Sequence, residues 1–411
     1  MKTVGTVARG IRAPMIQPGD DMVNIVVDSV IKASQMEGFA LCDQDVVGIT
    51  EAAVARAQSN FADVDQIAAD IRAKFGGEDM AIVFPILSRN RFATCLEGIA
   101  KGCRKLYVLL SYPADEVGNH LMNLDVMEQV GINPFIDVLN EEKYRQLFGN
   151  EVKHPFTSVD YVEFYKSISD NIEIIFANDA RVILDYTQNV LVCDVHTRQR
   201  TKRQLKEAGA KLVYGLDEIL TESVNGSGYN PEYGLLGSNM ATEGKVKLFP
   251  RNCQRLVEDI QKLFLDKTGK NIEVMVYGDG AFKDPIGKIW ELADPVVSPG
   301  FTKGLLGTPN ELKLKLLLDN ELAGKSGEEV HLAMTEAIKK KSLRENSDVS
   351  ELAGDTSSNK SGGRAHDLSL GTTPRHYTDL LGSLCDLVSG SGDKGTPIVL
   401  VSGYFTNYAS E

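Results

Sequence analysis

Short β-branched runs alternate along this chain with longer stretches whose apolar residues recur every three or four positions. That alternation constrains the fold most. A period of two builds strands, a period near 3.6 builds helices, and their interleaving builds a mixed α/β protein rather than a bundle or a sandwich. Met22, Ile25, Val26, Val30 and Ala33 fall at helical spacing after Pro18-Gly19-Asp20-Asp21, where an N-cap and a first-turn acid are the simplest roles for the two aspartates. A second helix is expected through Val64, Ile67, Ile71 and Phe75 to Gly76-Gly77, a third over 92–103 and a fourth over 252–264. Strands are expected over 81–87, 105–111, 172–176, 190–195, 273–277 and 397–404. The predicted fold class is mixed α/β, with mixed sheets flanked by helices. Two stretches break the pattern, a Gly/Asn/Ser/Pro-rich loop over 223–239 and a longer loop over 348–373.

With 411 residues, 43% of them hydrophobic, the chain can bury a sizeable core and make two or three domains at ~150 residues each. Its 44 Lys+Arg against 57 Asp+Glu give a net charge of −13. Such an acid excess, with no basic stripe, disfavours nucleic acid and anionic membrane surfaces as partners. No run approaches the ~18 apolar residues of a membrane helix, and the opening MKTVGTVARGIRAP lacks the apolar core of a secretion signal. Six cysteines are scattered without a C-x-x-C pair, as expected in a reducing cytoplasm. A soluble, cytoplasmic protein is expected.

The common nucleotide motifs fail on context. Gly390-Ser391-Gly392-Asp393-Lys394-Gly395 matches G-x-G-x-x-G, but a helix precedes it and a strand follows, the reverse of a dinucleotide-binding turn. Gly324-Lys325-Ser326 resembles the end of a phosphate-binding loop, yet Asp319 stands where its first glycine belongs. What remains is a set of glycine-flanked carboxylates at strand ends. Asp279, in Tyr277-Gly278-Asp279-Gly280, is expected to project from a sheet edge, where it suits a hard ion such as Mg²⁺ or Mn²⁺ or serves as an ordinary turn aspartate. Asp115 after the 105–111 strand is placed similarly, with a solvated loop acid as the alternative. Ser389-Gly390-Ser391-Gly392-Asp393-Lys394 offers unobstructed backbone N–H groups and a cation, which fits an anion nest as well as a plain connection. The six histidines show no ligand spacing and read as surface or packed residues.

Together these stretches resemble the coenzyme F-420 γ-glutamyl ligase family. RAPMIQPGDDM is similar to the family's opening G-[IL]-P-x-I-x-x-G-D-D, which implies that Ala13, Pro14, Met15 and Ile16 line the nucleotide site. DVVGITEAAVARAQ resembles the next motif, a strand and helix that bring hydroxyls and a Lys toward the nucleotide. Thr50 keeps a hydroxyl and Arg56 a cation, whereas Glu51 and Ala52 depart from that pattern. VYGDGAFKDP resembles the family's strand followed by Thr-Asp-Thr, which implies Asp279 as a metal ligand, with Gly280 in place of the second Thr. LVSGSGDKGTPIVLVSG is similar to G-E-G-G-D-G-x-P-x-V-V-V-R-G, with Ser391 where the family has a metal-binding Glu. Asp115 with Asn119 is matched to the family's D-x-x-N, one residue out of step, as a second metal ligand.

The resemblance implies a ligase core with large insertions: residues 1–121 and 271–411 as the two parts of the core, and 122–270 as an inserted or additional α/β domain. It implies L-glutamate, GTP or ATP, and a carboxylate acceptor as substrates, Mg or Mn as cofactor, and Arg56 and Lys394 as catalytic cations. It is compatible with a homodimer. A folate-type polyglutamate ligase is the alternative within the same chemistry. A metal-dependent phosphate-ester hydrolase or nucleotide-binding regulator is the alternative outside it.

Overall fold

The computed structural model describes residues 3–89, 91–115, 118–155, 157–194, 197–278, 281–283, 290–292, 297–309, 326–352, 376–390 and 392–407. Strand β1 (Val7–Ile11) leads through the 12–21 segment into the helix Met22–Glu37. The cap of that helix is Asp21, whose Oδ1 accepts from the Val23 and Asn24 amides at 3.0 and 3.2 Å. Asp21, expected as the first-turn acid, thus takes the capping role, and Asp20, expected as the N-cap, lies outside the helix and accepts from the Gln17 amide at 2.6 Å. β2 (Val46–Thr50) runs straight into the short helix Glu51–Ala57. After β3 (Phe61–Asp63) a reciprocal Asp63/Gln66 capping box starts the helix Val64–Phe75, which ends at left-handed Gly76 as expected.

Six strands then form one sheet: β4 (Met80–Val83), β5 (Leu106–Leu110), β6 (Leu139–Asn140), β7 (Ile172–Phe176), β8 (Asn189–Val192) and β9 (Leu212–Gly215). β10 (Asn239–Thr242) and β11 (Lys245–Lys247) make a hairpin that adds to β3 in a three-stranded sheet. The helix Cys253–Thr268 returns the chain to the first sheet through β12 (Glu273–Gly278). β13 (Ala281–Lys283) and β14 (Trp290–Leu292) pair with each other, β15 (Val297–Phe301) follows, and β16 (Ile398–Ser402) closes the fold behind the helix Tyr377–Ser389.

The five-stranded sheet has the order β1-β16-β2-β12-β15, with β2 and β12 parallel and the other pairs antiparallel. Its central strands are buried on both faces, so they read as near-continuous apolar runs. Val47, Ile49, Val274, Val276, Ile398 and Leu400 pack toward the 22–37 and 253–268 helices. Val46, Met275, Tyr277, Val399 and Val401 alternate to the other face, where the 377–389 helix contributes Leu381 and Cys385. A Cβ on Gly48 would sit 2.5 Å from Cys385 Sγ, so that helix can close only over a glycine.

The six-stranded sheet has the order β6-β7-β5-β4-β8-β9, parallel except for edge strand β6. Its parallel strands follow a doubly wound order that reverses between β4 and β8; such an order is shared by many functions and assigns none by itself. Here too the faces alternate. Met80, Ile82, Leu106 and Val108 pack under the 64–75 and 93–101 helices, and Ala81, Val83 and Leu109 pack on the other side. Gly98 sets the approach of those two helices, because a Cβ there would come 2.7 Å from Ile67.

The six-stranded sheet takes strands from 80 to 215, on both sides of residue 121. The first sheet draws on residues 7–50 and 273–402, and the chain crosses between the units near 58–61 and 247–252. Residues 348–352 of the expected long loop belong to the helix Gly327–Leu352, and 353–373 lie outside the described residues.

Candidate functional site

Register places four of the singled-out segments at one end of the five-stranded sheet. Ile11, the end of β1, pairs with Ile398, the start of β16. Ile398 in turn pairs with Ile49 near the end of β2, and Thr50 lies beside Tyr277 near the end of the parallel strand β12. The 12–21 segment, the 50–56 turn, the segment after Gly278 and the 389–397 loop therefore all leave or enter at the same edge. Loops at the carboxyl ends of parallel strands are where α/β sheets place their ligands.

Hydrogen bonds bind three of these segments together. The Ala13 amide donates to Gly395 O at 3.2 Å, and the Thr50 amide donates to Pro397 O at 3.0 Å. Arg56 Nε donates to Ile16 O at 2.7 Å, and the Gly19 amide donates to Ala57 O at 2.8 Å. Ile16 buries its side chain in the core below and offers this edge its backbone only. Pro14 and Met15 are exposed, Met15 at 81%. The two Nη groups of Arg56 make no hydrogen bond among the described residues, so its guanidinium keeps donors for a ligand.

The glycine-rich loop is shaped by its own chemistry. Gly390 at φ +60° turns the chain after the 377–389 helix, and Lys394 folds back over it. A Cβ on Gly390 would lie 2.6 Å from Lys394 Nζ. Thr396 Oγ1 donates to Ser389 O at 2.9 Å, and Ser389 Oγ donates to Asp386 O at 3.0 Å, while Gly392, Asp393 and Lys394 are exposed. Ser391 and Asp279 lie outside the described residues.

The residue before Asp279 is informative. A Cβ on Gly278 would come 2.4 Å from Glu51 Cγ and 3.0 Å from Phe249 Cε1, so only glycine fits there. Glu51 is buried and its Oε1 accepts from Lys247 Nζ at 2.5 Å. Lys247 arrives on the β10–β11 hairpin, where its cross-strand neighbour is Asn239. Burial pushes the adjacent Cys253 thiol up to about 12, helped by the Glu51 charge, which keeps it a neutral packing group. Lys247 was not legible in the sequence, because 196 positions separate it from its partner and no spacing rule spans that distance.

Asp115 follows β5 in the six-stranded sheet, on a different sheet from the four converging segments. Its Oδ1 accepts from the Asn119 amide at 2.7 Å; its Oδ2 accepts from Asn119 Nδ2 at 3.1 Å and from His154 Nε2 at 2.8 Å. The Thr157 amide donates to His154 Nδ1 at 3.1 Å, which assigns the ring proton to Nε2. Burial pushes the Asp115 carboxyl up, but the His154 and Asn119 hydrogen bonds outweigh it and hold the group below its ordinary value. The Asp115…Asn119 pair thus closes a loop on itself and tethers it to His154, and a metal would have to displace those bonds. Among the described residues no three His, Cys, Asp or Glu side chains meet as a metal site.

Fold and edge together define a mixed α/β protein whose described candidate site is built of exposed loop backbone, two solvent-facing cations and one buried ion pair. The model of the F420-0:Gamma-glutamyl ligase family matches residues 10–403, and the chain belongs to that family, which is one of enzymes. The matched interval runs across both large sheets. No curated protein matches the chain. Among the described residues no helix is long and apolar enough to cross a membrane.

Proposed function

We propose that the protein is a nucleotide-dependent amide ligase that adds L-glutamate to a carboxylate acceptor related to the F-420 precursor. A carboxylate does not react with an amine at neutral pH, so the γ-phosphoryl group of GTP or ATP first passes to an acceptor carboxylate oxygen and the nucleoside diphosphate leaves. The glutamate amine then attacks the acyl carbon, the C–O bond to phosphate breaks, and the amine proton leaves with phosphate or solvent. Such transfers need positioning and charge neutralisation more than covalent help. Arg56, Lys394 and the 389–395 backbone would hold the phosphates, and the 13–16 segment would line the nucleotide. Mg²⁺ or Mn²⁺ belongs to the proposal, with Asp279 as its candidate ligand.

The observation that carries this reading is the convergence of three family-like segments, far apart in sequence, beside the end of β12 on one sheet edge. The test is release of nucleoside diphosphate by the purified protein with glutamate, GTP or ATP, Mg²⁺ or Mn²⁺, and either a deazaflavin or a folate-type acceptor. Release that requires both glutamate and acceptor, with the acceptor gaining one glutamyl residue by mass, is the expected result. Release without amine would indicate hydrolysis instead.

A further inference from the structure

Lys245, Val246 and Lys247 alternate as a strand should: Lys245 is exposed, Val246 is fully buried, and Lys247 returns to the face of Lys245. Yet Lys247 is only 7% exposed, and its ammonium meets Glu51, the first residue of the 51–57 helix. A buried ion pair is a poor adhesive. Removing both charges from water costs several kcal/mol, and an apolar pair of similar volume often holds two elements at least as well. The location of this pair gives it another use. Glu51 is the first residue after Thr50, and its stem rests on Gly278, the last residue of β12, so the ammonium is held at the candidate edge.

A lysine ammonium has three donors. Among the described residues Lys247 Nζ makes one hydrogen bond, to Glu51, and its side chain is nine-tenths buried, which leaves two buried donors with no partner among those residues. Arg56 and Lys394 are exposed and screened by salt, whereas a charge in the low-dielectric interior acts on a nearby anion far more strongly. We propose that Lys247, positioned by Glu51, is a phosphate-binding cation of this site and takes an oxygen of the nucleoside triphosphate. This inference rests on the ligase reading for the identity of the anion.

The test is calorimetric titration of the full chain with GTP, ATP and inorganic tripolyphosphate, using Lys247→Met, Lys247→Arg, Glu51→Gln and the double variant Lys247→Met with Glu51→Leu. Charge-assisted hydrogen bonds of this kind set the expected loss at about tenfold to a hundredfold in affinity for Lys247→Met with all three ligands, with Lys247→Arg retaining most of the binding. The double variant restores an apolar contact, so it should regain melting temperature and still bind weakly. If its affinity returns together with its stability, or if Lys247→Met binds tripolyphosphate as the wild type does, Lys247 is a packing residue and the inference is overturned. Wild-type protein that binds no triphosphate overturns it as well. Phosphate binding that depends on Lys247, combined with turnover indifferent to glutamate, upholds it while refuting the ligase reading.

Discussion

Two residues show how far a side chain's surroundings decide its role. Asp115 is held below the ordinary carboxylate value, so its contribution to stability is complete above its unfolded value of about 4 and is lost as pH falls through the lower folded value. Asp115→Asn should therefore be less stable than wild type near neutrality and lose less on acidification, measured by denaturant unfolding at about pH 7 and about pH 3.5. Equal acid losses in the two proteins would remove Asp115 from the acid response. Gly278 is the second case. With 2.4 Å between a new Cβ and Glu51 Cγ, Gly278→Ala should destabilise by about 1–3 kcal/mol through overpacking. Truncating the opposing side chain by Glu51→Ala should recover part of that loss, giving a non-additive double-mutant cycle. Additive losses would mean that the two residues do not meet.

At the scale of elements, the capping signals and hydrophobic periods were legible because they are local. Gly76 ended its helix as read, and 172–176 is a strand to the residue. The strand expected over 81–87 stops at Val83 because Phe84 takes a left-handed φ of +53° before Pro85, a turn that no apolar run announces. The crossings between the two large sheets depend on distant polar pairs. Gln58 and Arg251 exchange hydrogen bonds at 2.7 and 2.8 Å, Asn60 Nδ2 donates to Phe249 O at 2.6 Å, and Asn60 Oδ1 accepts from the Tyr229 amide and from Arg251. Ser59 and Asn252, one on each crossing strand, both sit in the left-handed region, at φ +52° and +54°. Asn60 is fully buried, so Asn60→Ala would leave several buried groups unpaired and should cost at least ~2 kcal/mol. An unchanged unfolding midpoint would show that the crossing is not held by this amide.

For the whole molecule, the net charge of −13 and the proposed anionic substrates are reconciled by locality. Arg56, Lys394, Lys247 and loop backbone lie at one edge, so phosphate binding should persist in an acidic protein but weaken as ionic strength rises. If triphosphate affinity is flat between low and physiological salt, solvent-facing cations contribute nothing to it. By itself the sequence determined the α/β class, most of the core strands and helices, and the loops that belong together by family, because each is written in patterns a few residues long. Tertiary structure alone decided that three of those loops meet the end of β12 at one sheet edge while Asp115 lies on another sheet, and that Lys247 is buried against Glu51. Those facts depend on strand order and on contacts across nearly two hundred residues, which no local pattern encodes.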